Sequence, residues 1–503
     1  MSLNWLLVLP YFASLATWLF PRLALRPHSA AEAESLPRAP FSLAALACLM
    51  GLSLALSLFP AALARPEFGL EAYGPAGTAV DYWWTQHLYQ FRFRADALAL
   101  TAVAILYLAG FLLSLYSYSL PTPALPHRRA TYLLAAVGSA SVALLSVDLV
   151  ATLFFFSLFL LALWLFARAD SPREADRMLL LTSLGAALLT AAAVLLWQEG
   201  GITATAGLSL ALVGSDPRVL HALGLLALLG FLPLLAAFPV YWWLPRLARE
   251  NLRGAMACGV LLLAGGLALA LRLLPGSVSL PLLPGFSSAC VPLGVITLLW
   301  GSAGAWGSRS VRSLALWLTM AQSGQFLLAL GAAGTSLPGA PLLGLQAAFL
   351  SLVAAPFALL ALWSVAGVTL ARMGTDAHPG LGGLLGRLPV AAFAFLLGGL
   401  SLVGLPPLPG FWAQRLLFQA QPLALRLVLL LADLLVLLAI AGGFRRVFLR
   451  AAPSPLLLPA RRWMETQLVL VVLLLLALTV ALAGGPARDW TETIVRGVLL
   501  PGP

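Results

Sequence analysis

The sequence contains no lysine. All 29 of its basic residues are arginine, set against 18 acidic ones, and charged side chains make up only 9% of 503 residues while 61% are hydrophobic. A soluble chain carries about a quarter charged residues, so a soluble enzyme and a disordered protein are excluded at the outset. Cysteine is scarce as well. Cys48, Cys258 and Cys290 stand singly in apolar segments with no CxxC pair, which leaves no spacing for an iron–sulfur or zinc centre. Also missing are a GxGxxG fingerprint, a phosphate loop and a nucleophilic triad. No catalytic residue, metal site or cofactor (nicotinamide, flavin or quinone) is therefore assigned. The net charge of +11 could point to nucleic acid, but the arginines lie in short loops between apolar runs. The expected partner is a lipid bilayer, not nucleic acid.

What is abundant is apolar sequence in runs of about 20 residues, the length that spans a membrane. Fourteen spans are expected, at roughly 3–21, 42–63, 96–117, 130–147, 149–167, 178–197, 219–241, 254–274, 286–305, 311–332, 341–371, 388–408, 423–447 and 464–484. The fold class is an all-α polytopic membrane protein. The first run lacks a basic start and a small-residue cleavage site, and reads as a retained helix. The eleventh is long enough to tilt or bend. Loops after odd-numbered spans hold 20 of the 29 arginines, so the positive-inside rule makes those loops cytoplasmic and turns both termini outward, in a cell inner membrane. The longest outer connection, Arg65 to Arg94, interleaves aromatic and polar residues and suits a short interfacial hairpin. The tail from Ala487 to Leu500 suits a short interfacial helix.

Two spans are broken by proline at matching places. The seventh contains GFLPLLAAFPVYWWLPR, with Pro233, Pro239 and Pro245; the twelfth contains GLSLVGLPPLPGFWAQR, with Pro406, Pro407 and Pro409. Proline removes a backbone donor, and such a break persists in a membrane only where protein buries it or a cavity adjoins it. Each broken span is fourth in a block of five, spans 4–8 and 9–13. An odd number of spans inverts the second block relative to the first. Paired breaks in inverted halves point to a transporter-type fold. The resulting division is 1–129, three N-terminal helices with the outer loop; 130–274 and 286–447, the two five-helix repeats; and 448–503, the last helix and tail.

The segment LGGLLGRLPVAAFAFLLGGLSLVGLPPLPGFW, Leu381 to Trp412, closely resembles the proton-conducting membrane subunits of NADH–quinone oxidoreductase (respiratory complex I) and the related cation/proton antiporters. FRADALAL at 93–100, LLSVDLVATLFFFSLF at 144–159, AAFPVYWWLP at 236–245 and SVRSLALWLTMAQSG at 310–324 follow in the family's order. The resemblance implies fourteen helices, two inverted five-helix repeats, and a place among other membrane subunits of a complex I type arm. It also implies a mid-membrane row of a glutamate, lysines and histidines that passes protons, since a lysine in low dielectric can pick up and release one near neutrality. Carried over position by position, that row is missing. The fifth-helix glutamate falls at Ser157, the seventh-helix lysine at Leu234, the eighth-helix lysine at or beside Ala264, and the twelfth-helix lysine at Gln414. The eleventh-helix groups fall loosely near Ser351, Ala355 and Leu359. Arg415 adjoins Gln414, but arginine does not release its proton. Asp148 and Arg312 survive in recognisable form.

A charge within a span is costly unless paired, and so is a functional candidate. Asp433 in the thirteenth span, with Arg426 two turns earlier, reads either as a relic proton site or partner contact, or as a carboxyl held neutral or paired in the bundle. Arg272 is expected to snorkel to the surface, His221 to be interfacial, and Asp148 and Asp96 to serve as N-caps or ion-pair partners. The favoured expectation is an antiporter-like membrane-arm subunit with a degenerate proton path and a structural role, not catalytic by itself. The alternative is an active proton or cation translocator that uses Asp148, Gln414, Asp433 and waters. A solitary transporter for another solute is the third.

Overall fold

A computed structural model of the chain describes residues 2–23, 38–63, 70–73, 92–119, 126–200, 216–273, 284–335, 339–451, 462–483 and 491–495. All fourteen expected spans are helical. They are α1 (Ser2–Leu23), α2 (Ala39–Leu63), α3 (Ala97–Ser119), α4 (Pro126–Leu145), α5 (Leu149–Arg168), α6 (Pro172–Gly200), α7 in two halves (Pro217–Leu234 and Trp243–Glu250), α8 (Leu252–Leu273), α9 (Pro284–Trp306), α10 (Val311–Ala333), α11 (Ala340–Met373), α12 in two halves (Pro389–Val403 and Pro409–Ala420), α13 (Leu423–Phe444) and α14 (Arg462–Ala483). Eleven of these helices are long and apolar enough to cross a membrane by themselves. The two halves of α12 are each too short to do so and cross only together. With 34 residues, α11 is about 50 Å long, well beyond the ~30 Å hydrocarbon core. It carries Pro356 in its interior.

Burial sorts the helices. The spans of α8, α10 and α11 are almost wholly enclosed, whereas α1, α6 and α13 leave most of their surface uncovered. The core thus runs through α8, α10 and α11, and the helices with exposed leucine faces form the rim. Helix ends are closed by local chemistry. Ser310 Oγ accepts from Ser313 N at 3.1 Å to start α10, and Asn251 Oδ1 accepts from Gly254 N at 2.8 Å to start α8. Each satisfies an end donor that hydrocarbon would leave bare. Outside the bundle, β1 (Leu70–Tyr73) pairs antiparallel with β2 (Arg92–Ala95), Leu70 opposite Ala95. These strands lie at the two ends of the segment expected to form an interfacial hairpin; its aromatic stretch from Asp81 to Phe91 lies outside the described residues, as does most of the expected tail helix, of which 491–495 is helical.

Both expected breaks are present, and each is stitched by side chains of other helices. In α7 the chain unwinds after Leu234 and passes through Ala236 at a φ of 49°. Trp243 Nε1 donates to Pro233 O at 3.1 Å, Phe238 N donates to Thr297 Oγ1 of α9 at 3.2 Å, and Ser323 Oγ of α10 donates to Leu235 O. In α12 the first half stops at Gly404, left-handed at φ 79°, with Leu405 N bonded back to Leu400 O. That is a glycine helix stop of the Schellman type. A Cβ at Gly410 would overlap the Ser401 carbonyl oxygen, so the two halves of α12 approach backbone to backbone at that point.

Candidate functional site: two helix breaks with different linings

At the first break the helices that the resemblance assigns to proton handling do converge, but on apolar groups. Leu234 ends the first half of α7 and is buried, as is Ala264 in α8. A Cβ placed on Gly266 would meet Leu235 Cδ2 at 3.3 Å and Leu234 Cβ at 3.8 Å; one placed on Gly265 would meet the Phe159 ring at 3.1 Å. Phe156 and Phe159 of α5 stack edge to face, centroids 5.3 Å apart, and both are buried. Ser157 is not among them. It lies on the exposed side of α5, and its Oγ returns to Leu153 O at 2.8 Å. The crossing of α5, α7 and α8 is thus filled by aliphatic and aromatic side chains in contact.

The second break is polar. Gln414, on the second half of α12, donates from Nε2 to Asp433 Oδ2 at 2.6 Å, and Gln325 of α10 donates to Asp433 Oδ1 at 3.4 Å. Gln322, one turn before Gln325, donates to Leu402 O at 3.3 Å, one of the carbonyls freed where α12 stops. Ser401 Oγ accepts from Gly410 N at 3.2 Å. Ser351 of α11 lines, with Gln322, Gln325, Ser401 and Gln414, a small space of about 10 Å³, the size of one water. Gln414, where the resemblance expects a lysine, and the candidate Asp433 are therefore direct partners. Gln322 and Gln325 were not among the residues expected here. Their spacing of three within MAQSGQ, which puts both amides on one face of a buried helix, is the signal that finds them.

The other candidates lie apart from this cluster. Arg312 grips Asp376 through Nε and Nη2, each at 3.1 Å, while Nη1 donates to the carbonyls of Ala248 and Arg249 at 2.9 and 3.0 Å. It so satisfies the C-terminal end of α7 and ties it to the loop after α11. Arg415 is exposed, with its guanidinium 5.8 Å from the centre of the Trp412 ring. His221 is exposed in the first turn of α7 and bonds Pro217 O at 2.7 Å. Asp148 occupies the N-cap position of α5, yet its side chain accepts no cap hydrogen bond and its buried Oδ2 has no hydrogen-bond partner among the described residues. Arg272 does not snorkel. It is 6% exposed and pairs with Asp96 Oδ2 at 3.1 Å, while Nη2 donates to Ser146 O at 2.9 Å. The hairpin's second strand brings Asp96 to α8, and the buried carbonyl of Ser146 completes the donor's shell. Asp96 Oδ1 meanwhile caps α3 through Ala99 N at 2.7 Å. Among the described residues no group of three or more His, Cys, Asp and Glu side chains could hold a metal ion.

A polytopic helical bundle with two proline-broken helices in register, interrupted at buried polar and apolar crossings, defines the antiporter-like class of membrane subunits. The chain belongs to the family described as NADH:quinone oxidoreductase/Mrp antiporter, TM, which matches residues 146–442. It is 32% identical over 199 residues to NAD(P)H-quinone oxidoreductase subunit 5, chloroplastic, of Saccharum officinarum, covering 38% of this chain and 25% of that protein. It is 29% identical over 269 residues to a Na(+)/H(+) antiporter subunit of Alkalihalophilus pseudofirmus, covering 51% of this chain and 32% of that one. The matches thus span about a quarter to a third of the length of these relatives. In fold, the chain is similar to one from respiratory complex I of Thermus thermophilus, with a TM-score of 0.76, 21% identity and 100% of both chains covered. It is also similar to one from the Mrp complex of a Dietzia species, with a TM-score of 0.77, 18% identity and coverage of 99% and 98%. Both are multi-subunit membrane complexes.

Proposed function

We propose that this chain is a membrane-arm subunit of a complex I type assembly whose first half is closed to protons, so that its role there is structural. The observation that carries the reading is the lining of the first break. Where the family resemblance expects a titratable trio, Leu234 and Ala264 are buried among Leu235, Phe156 and Phe159, and Ser157 points elsewhere. A proton needs a chain of hydrogen-bonding groups or waters, and packed hydrocarbon excludes both. In this reading residues 130–274 and 286–447 are two inverted repeats, the odd-numbered loops face the cytoplasm of a cell inner membrane, and both termini face outward. The partners are other membrane subunits of the arm.

The test uses the intact complex in sealed vesicles. Ser157→Ala removes the hydroxyl left at the carried-over positions, and Leu234→Met alters the plug at nearly constant volume. Both should leave the protons translocated per electron pair unchanged. A fall in that ratio in a normally assembled complex would overturn the structural reading of the first half.

A further inference from the structure

Asp433 sits mid-span on α13, and the groups that solvate its carboxylate are two neutral amides, Gln414 and Gln325. Among the described residues no arginine forms an ion pair with it. Arg426, on the same helix, donates instead to Gln421 O at 2.7 Å and Gln419 O at 3.3 Å, and Arg415 lies over Trp412. The helices packed against α13 are α9, α10 and α12. Within the described residues of those helices the only other charged side chain is Arg312, paired with Asp376 where α10 begins; Arg309 and Arg387 lie in the loops before α10 and α12. An ionised carboxylate solvated by neutral donors alone costs several kcal/mol in hydrocarbon surroundings. Uptake of a single cation removes that cost.

Access is built on one side. On the opposite face of the second half of α12 lies a cavity of about 210 Å³, bordered by Gln346, Arg415, Gln419 and Glu492. It stands where α11 and α13 begin and α14 ends. Between this cavity and the small space at Ser351, Ser401 and Gln414 stands an apolar layer: Leu350, Trp412, Leu416 and Leu482 line the cavity, and Ala413, packed with them, lines the small space. In the other direction, toward the side where α12 begins and α13 ends, the rings of Phe395, Phe444 and Phe448 pack with centroids 5.1 to 6.3 Å apart, and Ile440 fills the space beside Gly399.

We propose that Asp433 is a proton-binding site that exchanges with one side of the membrane only, through the cavity beside Arg415, and is a dead end rather than a step in a transmembrane path. The proton arrives from water in the cavity, bonds to a carboxylate oxygen of Asp433, and leaves by the same way. On protonation the Gln414 amide turns so that its Oε1 accepts the new O–H. The site rests on the proposed membrane-arm role only in lying within the membrane. Its presence does not depend on whether the complex pumps.

The experiment is infrared difference spectroscopy of the full chain with its co-purifying subunits in lipid bilayers, taken over a pH series in water and in deuterium oxide. The expected result is a carboxylic-acid C=O band that appears as pH falls and shifts in deuterium oxide. It is lost in Asp433→Asn and displaced but retained in Asp433→Glu, which guards against a folding artefact. Ala413→Leu thickens the apolar layer, and should keep the band while delaying its deuterium shift. A titrating band that persists in Asp433→Asn, or no such band in the wild type, overturns the site. A response to replacing choline by sodium at fixed pH, without a response to pH, overturns the proton as its occupant. An undelayed shift in Ala413→Leu overturns the access route. The proton-to-electron ratio reports the structural reading separately, so failure of one leaves the other readable.

Discussion

The pair Asp96–Arg272 is the clearest case of one residue holding several helices. It joins the start of α3 to the end of α8 and, through Ser146 O, to the end of α4. Removing one partner of a buried pair costs about 3–5 kcal/mol because the other charge is left uncompensated. Arg272→Leu alone is therefore expected to lower the thermal unfolding midpoint of the detergent-purified protein sharply. Arg272→Leu with Asp96→Asn should recover much of that loss, since asparagine keeps the cap on α3. A second prediction concerns His378, in the loop between α11 and α12. It is buried, and neither ring nitrogen has a hydrogen-bond partner among the described residues. Burial, reinforced by Arg446 and opposed by Asp376, pushes the imidazole down to about 4. An unfolded histidine titrates near 6.5, so between these values the unfolded chain binds the extra proton and stability decreases as pH is lowered. The contribution is intact above about 6.5 and is lost on the way down to about 4. A series of unfolding midpoints across that window checks it, and His378→Leu should flatten the slope. At this scale the sequence was only partly legible. Gln414 and Asp433 were identified singly, because one stands where the resemblance expects a lysine and the other is a charge in a span. Their pairing, and the burial of Arg272, depend on contacts between residues 19 to 176 positions apart, which periodicity does not encode.

At the scale of elements, the break in α12 depends on two glycines for different reasons. Gly404 holds φ at 79°, and a Cβ there would also stand 2.7 Å from Gln414 Cβ. Gly410 is needed because the Ser401 carbonyl occupies the space of its missing side chain. Gly404→Ala is expected to cost at least about 1–2 kcal/mol from the left-handed backbone alone, and Gly410→Ala more, because there the two halves of the helix must move apart. Gly442→Ala in α13 is the control. Nothing lies within 4 Å of its added methyl, and alanine gains up to about 1 kcal/mol in a helix interior. The unfolding midpoint should therefore fall for Gly404→Ala, fall further for Gly410→Ala, and rise for Gly442→Ala. Equal losses would mean that the break is not fixed by these contacts. The elements themselves were legible because a membrane leaves few choices. A run of about 20 apolar residues must satisfy its backbone internally, and proline marks where it fails to. What the runs did not reveal is the role of α10. Its Ser323 serves the break in α7, its Gln322 serves the break in α12, and its Gln325 reaches Asp433. A span with three polar residues in four reads as a weak membrane helix. In the fold it is the buried post from which both broken helices are held.

At the scale of the whole molecule, the interior and the rim answer different demands. In the interior most charges are paired or capped, Asp433 is solvated by amides, and Asp148 leaves one carboxylate oxygen without a partner among the described residues. The rim is the reverse. Along α13, Leu423, Leu427, Leu430, Leu431, Leu434 and Leu438 are each 46% exposed or more, and Trp5, Phe12 and Leu15 of α1 and Leu180, Leu184 and Trp197 of α6 are similarly bare. Lipid tails satisfy such faces, and so do the helices of a neighbouring subunit, with little difference in hydrophobic free energy between the two. Exposed leucine thus fixes that the chain lives in a bilayer and leaves the neighbour to be found by experiment. The lack of lysine bears on the same question. On the proposed reading, a chain whose first half is closed to protons has its use in the contacts it makes, and those contacts should survive gentle extraction. Purified in mild detergent from membranes at native expression, it is expected to emerge with other membrane subunits in fixed proportion, and mass spectrometry of the intact particle would measure that proportion. Recovery as a monomer under conditions that keep other arms of this type intact would count against an arm-bound role, whatever the fate of the site at Asp433.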